Sequence, residues 1–224
     1  MRIDVTSVIG VCNGEIKLTN DLRSLNDDMV KGSVPKSWAK YKVPGTISTN
    51  TWVVDFGERV KQFQRLADHA ESGQSFSSAS VWLGGLFVPE AYFTATRQAV
   101  AQAHGWSLEQ LRLELDVKKG DETPSLDKTS FHIVNLRFEG SSCIGDALSL
   151  SQEMFTSPPT TVLRWCNSTE GSKYKESERV ELPIYLNSMR ANLIIMVDLR
   201  APPGVPQSVF YERGVALLCS ALGS

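Results

Sequence analysis

Residues 111–118 have the sequence LRLELDVK, in which apolar side chains alternate with charged ones. A period of two places successive side chains on opposite faces of a β-strand, so this segment should have one buried face and one wet face. Before residue 111 the apolar residues recur instead at steps of three and four, which is the period of an amphipathic helix. The change of period predicts an α+β fold, with a helical subdomain over residues 1–110 and a β subdomain over residues 111–224.

Three helices are expected in the first part of the sequence. Their predicted ranges are Val8–Met29, Thr51–Glu71 and Pro89–His104, and the last has a proline suited to a helix N-terminus and Gly105 to end it. In the first helix four apolar residues lie on one stripe: Leu18, Leu22, Leu25 and Met29. Glycine and proline residues interrupt the sequence between positions 31 and 45, which predicts an irregular connector.

The second part of the sequence has six strand candidates separated by turn-rich segments. They are residues 111–117, 131–138, 161–166, 180–186, 193–199 and 215–219. Because the connections are short and no long helix intervenes, we expect antiparallel pairing in an incomplete six-stranded barrel or a sandwich. The charged segment EGSKYKESER, residues 170–179, should form a hairpin tip. Residues 193–197, apolar on both faces, should form the central strand.

The composition argues against several classes of protein. Of the 224 residues, 42% are hydrophobic and 21% are charged, and the net charge is −2. These values are not those of a disordered protein or of a strongly basic nucleic-acid binder. No apolar run reaches the ~18 residues of a membrane span, and the first residues lack the features of a signal peptide. We therefore expect an intracellular globular protein with neither a membrane nor a nucleic-acid partner.

Motifs that would predict a catalytic or cofactor site are missing from the sequence. It has no phosphate-binding loop and no Gly-x-Ser-x-Gly elbow, and its three histidines lack partners at metal-ligand spacing. The four cysteines are far apart and are expected to be free thiols. We thus expect no catalytic residue, cofactor or metal in this segment. A hydrolase that uses His132 is a minor alternative, because catalytic triads are recognised by geometry rather than by spacing.

The connector carries a pattern of cations and aromatic rings. Lysines and aromatic residues alternate at four of its positions: Lys36, Trp38, Lys40 and Tyr41. Such a pattern could clamp an acidic partner, for which a folded protein surface is the best candidate. It could equally be a solvated connector held by one or two aromatic anchors. The residues alone leave both interpretations open.

Residues 81–98 carry the most specific signal, the sequence VWLGGLFVPEAYFTATRQ. Together with WSLE at 106–109, this run closely resembles the C-terminal region of dynein heavy chains. Further segments share the resemblance, and they are residues 22–23, 30–32, 35–38, 52–59, 182–187, 190–191 and 210–216. Ciliary dyneins usually differ around the Trp-Leu-Gly-Gly segment and at the end, so the resemblance favours the cytoplasmic type. It extends over nearly the whole sequence.

Dynein heavy chains are large motors in which a ring of six ATPase modules drives movement toward microtubule minus ends. The resemblance implies that this sequence is the segment after the sixth module, helical first and an incomplete β-barrel second. It implies a structural and regulatory role without catalysis, in which the segment contacts several ring modules and tunes ATPase coupling, processivity and force. ATP and magnesium would belong to other modules of the motor. Microtubules and the other dynein subunits would be partners of the whole cytoplasmic motor.

The resemblance also suggests which residues contact the ring or another partner. The leading candidates are the apolar stripe of the first helix and the cation–aromatic connector. Trp82 and Phe87 follow, although Gly84 and Gly85 indicate a tight turn that favours a core position for both. The competing interpretation is a module that recruits an adaptor or regulator through the charged segment Lys173–Arg179.

Overall fold

The computed structural model describes residues 1–41, 48–73, 78–118, 126–158, 160–169 and 172–219. The helices are α1 Arg2–Cys12, α2 Asn20–Val30, α3 Thr49–Glu71, α4 Pro89–His104 and α5 Ser208–Glu212. The strands are β1 Ser80–Val81, β2 Leu111–Lys118, β3 Ser130–Ile133, β4 Arg137–Ile144, β5 Ala147–Thr156, β6 Thr160–Asn167, β7 Arg179–Tyr185, β8 Leu193–Arg200 and β9 Ala216–Leu218. Parts of two predicted segments, residues 42–45 and 170–171, lie outside the described residues. The α+β class is confirmed.

The chain divides into two compact units, Met1–Lys61 and a second that begins at Gln62. The boundary falls within α3. The change from helix to strand at residue 111 lies inside the second unit, which also contains α4. The predicted domain boundary between residues 110 and 111 therefore stays a prediction.

The first unit contains two short helices where the sequence predicted one long helix over residues 8–29. Gly14 follows the end of α1 with a φ of +75°, a left-handed conformation that suits glycine and ends the helix. The Thr19 side chain then accepts a hydrogen bond of 3.3 Å from the backbone N–H of Leu22 and caps α2. The single-helix prediction is wrong because a continuous apolar period says nothing about these two local end signals. Leu18 consequently lies in the segment between the helices.

The predicted helices over residues 51–71 and 89–104 are confirmed. The structure starts α3 two residues earlier, at Thr49. Gly105 has a φ of +70° and closes α4 as expected. None of the helices in the described ranges combines the length and the apolarity needed to cross a bilayer.

The second unit is built on one nine-stranded mixed sheet with the order β1-β3-β6-β2-β8-β5-β4-β9-β7. Strand β7 also pairs with β8, so the circuit β8–β7–β9–β4–β5–β8 closes on itself. Four of the pairings are parallel: β1–β3, β2–β8, β5–β8 and β7–β9. The prediction of six purely antiparallel strands is therefore wrong in number and in direction.

Three departures account for two of the three extra strands and for the altered pairing, and the third extra strand is the short β1, which was not predicted. The predicted strand 131–138 is two strands, because Asn135 has a φ of +60° and breaks it. Strand β5 was not predicted, and it pairs antiparallel with β4 across a bulge between Glu139 and Ser141. The predicted hairpin through residues 170–179 does not form, since β6 pairs with β2 and β3 while β7 pairs with β8 and β9.

The core of the second unit takes apolar residues from every strand. In β2 the predicted buried face is confirmed, with Leu111, Leu113, Leu115 and Val117 all buried. The prediction that the opposite face is wet is wrong at Glu114, whose carboxylate is also buried. Strand β8 pairs with three other strands, as expected of a central strand. Its Leu193 and Met196 are nevertheless partly exposed, so β8 is not buried on both faces along its whole length.

Candidate functional site

A stack of aromatic rings forms the centre of the first unit. The Trp38 and Trp52 rings are 5.4 Å apart at an angle of 19°, and Trp52 stacks on Phe56 at 5.0 Å. The Trp38 indole N–H donates a hydrogen bond of 2.7 Å to a carboxylate oxygen of Asp4, and chiefly for that reason the pKa of Asp4 lies below its usual value. Trp38 is therefore a buried anchor that ties the irregular segment after α2 to helix α1.

The predicted apolar stripe lies mostly in or against this core. Leu25 is buried beside Trp38 and Trp52, and Leu22 and Met29 pack against the same cluster. Leu18 alone of the four is exposed, at 42%. Three of the four stripe residues are thus covered by other residues of the same unit, and their role as partner contacts stays a prediction.

The predicted connector divides between interior and surface. Lys36 and Lys40 are exposed and Trp38 is buried, while Tyr41 is 40% exposed and its ring centre lies 5.6 Å from that of Phe56. The Lys40 ammonium lies 4.8 Å from the centre of the Tyr41 ring, within range of a cation–π interaction. The connector therefore combines a buried aromatic anchor with surface lysines, and its role as a partner contact stays a prediction.

Trp82 is held by hydrogen bonds on both its backbone and its side chain. The Gln62 side chain accepts from the Trp82 backbone N–H at 2.8 Å and donates to its carbonyl at 3.0 Å. The indole N–H donates to the Cys219 carbonyl at 2.7 Å. A Cβ atom at Gly84 would lie 2.4 Å from that carbonyl oxygen, and one at Gly85 would lie 2.5 Å from the Trp82 ring. The two glycines are required for this close approach, and Trp82 has the structural position that the sequence favoured.

Phe87 does not share that position. Its side chain is 45% exposed, and it stacks on Phe63 of α3 with ring centres 5.6 Å apart. The preference for a core position is therefore wrong for Phe87. The turn made by the glycines ends at Leu86, whose side chain is buried, and Phe87 is the first residue after it.

The charged segment after β6 is tied down onto the sheet. The buried carboxylate of Glu114 accepts hydrogen bonds from Ser172 at 2.7 Å, from Arg164 at 3.1 Å and from the backbone N–H of Lys173 at 3.1 Å. The buried Tyr174 donates its hydroxyl to the carbonyl of Leu115 at 3.2 Å. Lys173 is exposed, but its ammonium pairs with the carboxylate of Asp116 at 2.7 Å. Beyond Tyr174 the next exposed residues are Lys175 and Glu176.

His132 has a neighbour that the sequence did not indicate. Its Nδ1 lies 2.8 Å from the Ser80 hydroxyl, because Ser80 and His132 are register partners in β1 and β3. Burial lowers the pKa of His132. Among the described residues no carboxylate forms an ion pair with this imidazole, and no group of His, Cys, Asp or Glu side chains is arranged to hold a metal ion. The pair lacks the group that orients the base in a catalytic triad.

Sequence reasoning missed the exposed apolar residues of the first unit. A groove of about 540 Å³ opens there between α1, α2 and α3. Two of its rim residues are Val53 and Val54, and Val54 is 66% exposed. Ile3, Ile9 and Val30 are also exposed in the same unit. Of these residues only Ile9 lies within the long helix that the sequence predicted. Val53 and Val54 lie on α3, off its predicted stripe, and Ile3 and Val30 lie outside the predicted helices.

A family model for the C-terminal domain of dynein heavy chains matches residues 1–219. The chain belongs to this family. The cytoplasmic dynein heavy chain of Drosophila melanogaster is 37% identical over 220 residues, which are 97% of this chain and 5% of the relative. The cytoplasmic heavy chain of Dictyostelium discoideum is 35% identical over 214 residues, 96% of this chain and 4% of the relative. The human dynein axonemal heavy chain 9 is 26% identical over 181 residues, 79% of this chain.

The dynein C-terminal domain described here spans about a twentieth of the length of its curated relatives. The resemblance stated from the sequence is confirmed, both for the family and for the likeness to cytoplasmic heavy chains. Among the described residues, the features that can be assigned to a site are surface features. The best-defined of them is the exposed apolar groove of the first unit.

Proposed function

We propose that this domain is the non-catalytic C-terminal segment of a cytoplasmic dynein heavy chain, a minus-end-directed microtubule motor. In this proposal it braces the ATPase ring and tunes ATPase coupling, processivity and force. The ring modules of the same heavy chain are its direct partners, and they hold the ATP and magnesium. The whole motor, with its other subunits, works on microtubules in the cytoplasm. The family match and the cytoplasmic relatives support this assignment.

The observation that carries the proposal is the exposed apolar surface of the first unit. Val30 is 79% exposed and Val54 is 66% exposed, and both lie on helices of a unit with a small core. Burying one such side chain against a partner contributes about 1.5–3 kcal/mol at most. Because the domain is about a twentieth of the length of its relatives, most of a heavy chain would lie outside it and could supply the partner surface.

A brace regulates a motor only through unequal contacts. If the domain bound all conformations of two neighbouring modules equally well, it would shift none of their equilibria, however tight the contact. A contact that is better in one nucleotide state than in another changes the relative energies of those states. Force and run length are the quantities that such a change would alter.

The direct test is a surface substitution in a complete motor. Val54→Asp places a charge at the rim of the apolar groove, and Met154→Asp is the matched control, since Met154 is 68% exposed on β5 of the other unit. We expect Val54→Asp to alter stall force or run length of single motors while the control leaves both unchanged. Identical motility of wild type and both variants would rule out a role for this groove.

The recruitment alternative rests on a separate observation, the exposure of Lys175 and Glu176 beyond the anchored residue Tyr174. Deleting the whole segment would remove Ser172, which holds the buried carboxylate of Glu114. The double reversal Lys175→Glu with Glu176→Lys is a cleaner test, because it leaves those anchors in place. Loss of adaptor capture with unchanged motility would favour recruitment, and the reverse result would favour the brace.

A further inference from the structure

A second apolar groove lies in the other unit, apart from the surface assigned to the brace. It has a volume of about 780 Å³, and its walls are the second half of α3, helix α4 and residues 128–131. A cavity of this size is typical of sites for small molecules, which range over about 300–1,000 Å³. Of the residues predicted as ring or partner contacts, Phe87 lines it, but the brace surface proposed on the first unit does not use it.

The two helices present regular faces to this groove. Helix α3 contributes Phe63, Leu66 and Ala67, which are spaced i, i+3 and i+4, and α4 contributes Ala95 and Ala99, one turn apart. Because the α4 positions are alanines, no long side chain from these two positions enters the space. The walls are therefore apolar over most of their length.

Three hydroxyl groups on the wall are already engaged. The Thr96 hydroxyl accepts a hydrogen bond of 3.0 Å from the Trp165 indole N–H. Thr129 and Ser130 each donate to a carboxylate oxygen of Asp127, at 2.7 Å and 2.8 Å. These groups have little capacity left for a ligand.

Two polar side chains of the groove remain without such partners. The Tyr92 hydroxyl has no hydrogen-bond partner among the described residues, and burial raises the pKa of Tyr92 to about 12, so the hydroxyl keeps its proton at neutral pH. Lys128 is an exposed residue of the groove wall and forms no ion pair with any described residue. Two donors, one of them cationic, thus border an apolar space.

We propose that this groove binds a small apolar molecule that carries one carboxylate, such as a linear alkyl carboxylate. The alkyl tail lies between the α3 and α4 faces. The carboxylate accepts a charge-assisted hydrogen bond from the Lys128 ammonium and a second hydrogen bond from the Tyr92 hydroxyl. Charge complementarity decides for this class of ligand over an uncharged one, since the Lys128 ammonium is a cation without an ion-pair partner among the described residues.

The test compares two ligands that differ only in the head group. Decanoate and decan-1-ol are titrated separately into the protein, and their heats of binding are measured by calorimetry. We expect decanoate to bind more tightly than the alcohol. Because a hydrogen bond to a charged group contributes about 1.5–3 kcal/mol, Lys128→Met should weaken decanoate at least about tenfold and leave decanol unchanged. Tyr92→Phe, which keeps the ring, should weaken decanoate by less.

A pair of substitutions on one helix tests the position of the alkyl tail. Ala99→Trp fills the groove and should abolish binding of both ligands, whereas Ala103→Trp, on the same helix but outside the groove, should not. Thermal unfolding shows whether each variant folds. If Ala99→Trp does not fold, the comparison of wild type with Lys128→Met still tests the proposal. Absence of saturable decanoate binding would overturn the proposal. Equal binding of acid and alcohol with no effect of Lys128→Met would also overturn it, and would leave a protein segment as the occupant to test.

Discussion

The two units of this domain differ in how they are built. In the second unit every strand supplies a buried apolar residue to one core. In the first unit the buried apolar residues are Leu25, Trp38 and Trp52, and α3 adds an ion pair of 2.7 Å between the buried side chains of Asp55 and Arg59. A buried ion pair is weak evidence for stability, because desolvation offsets most of the attraction. Among the described residues the first unit thus has the smaller apolar core, and in the proposed function surfaces outside the domain would cover the apolar side chains that it exposes.

The largest expected effect is in the core of the second unit. Phe138 is fully buried in β4, and truncation to alanine removes most of its side chain from a packed core. We expect Phe138→Ala to lower the free energy of unfolding by about 3–5 kcal/mol. Denaturant titration of the domain measures this, with Met154→Ala on the exposed part of the adjacent β5 as the control. A loss below about 1 kcal/mol would mean that this core is not the main source of stability.

The next largest expected effect is on stability, and it differs between two glycines because their surroundings differ. A methyl group at Gly84 would meet the Cys219 carbonyl oxygen at 2.4 Å, whereas one at Gly57, within α3, would have no atom within 4 Å. Gly84→Ala should therefore destabilise the domain by about 1–3 kcal/mol through overpacking. Gly57→Ala should stabilise it by up to about 1 kcal/mol, because alanine is the better helix former. Similar effects of the two substitutions on the unfolding midpoint would contradict the geometry of the Trp82 turn.

The second unit was also the easier to predict from its sequence at the level of single strands. The alternation in β2 identified the strand and its buried face, because a period of two is a local property of the sequence. The strand partners were not predictable in the same way. The parallel pairing of β7 with β9 joins Ile184 to Leu217, residues far apart in the sequence, and no local pattern specifies such a pair. The pattern also could not predict breaks caused by a single residue. Asn135 divides one predicted strand because its backbone has a positive φ.

The candidate surface of the first unit was predicted with less success, for a related reason. The helical period correctly grouped Leu22, Leu25 and Met29 on one face, but a period does not tell whether other residues of the same protein cover that face. Trp38 and Trp52 cover it. The period did not indicate the exposed residues Val30 and Val54, because the first lies outside the predicted helices and the second lies off the predicted stripe of α3.

A smaller effect is expected at the anchor of the first unit, and it depends on pH. Trp38→Phe keeps an aromatic ring but removes the indole donor to Asp4. The carboxylate is partly exposed, so we expect a loss of about 1 kcal/mol at neutral pH, near the lower end for a hydrogen bond to a charged group.

The sign of the pH dependence follows from the lowered pKa of Asp4 in the folded state. Its stabilising contribution is present above the unfolded pKa of about 3.9 and is lost as the pH falls below that value toward the folded pKa. The stability difference between wild type and Trp38→Phe should therefore shrink between about pH 6 and pH 3. A difference that stays constant over this range would show that lost packing, rather than the hydrogen bond, causes the effect.

The smallest expected effect gives the sharpest comparison between the units. Val54 is exposed and belongs to a unit whose core does not include it, so Val54→Asp should change the unfolding free energy of the domain by no more than about 0.5 kcal/mol. The same substitution is the one expected to alter stall force or run length in a complete motor. A residue that is neutral for folding but important for motility must act through a contact outside this domain. If Val54→Asp instead unfolds the domain, the exposed apolar residues of the first unit serve its own stability, and the proposed contact with an outside surface is wrong.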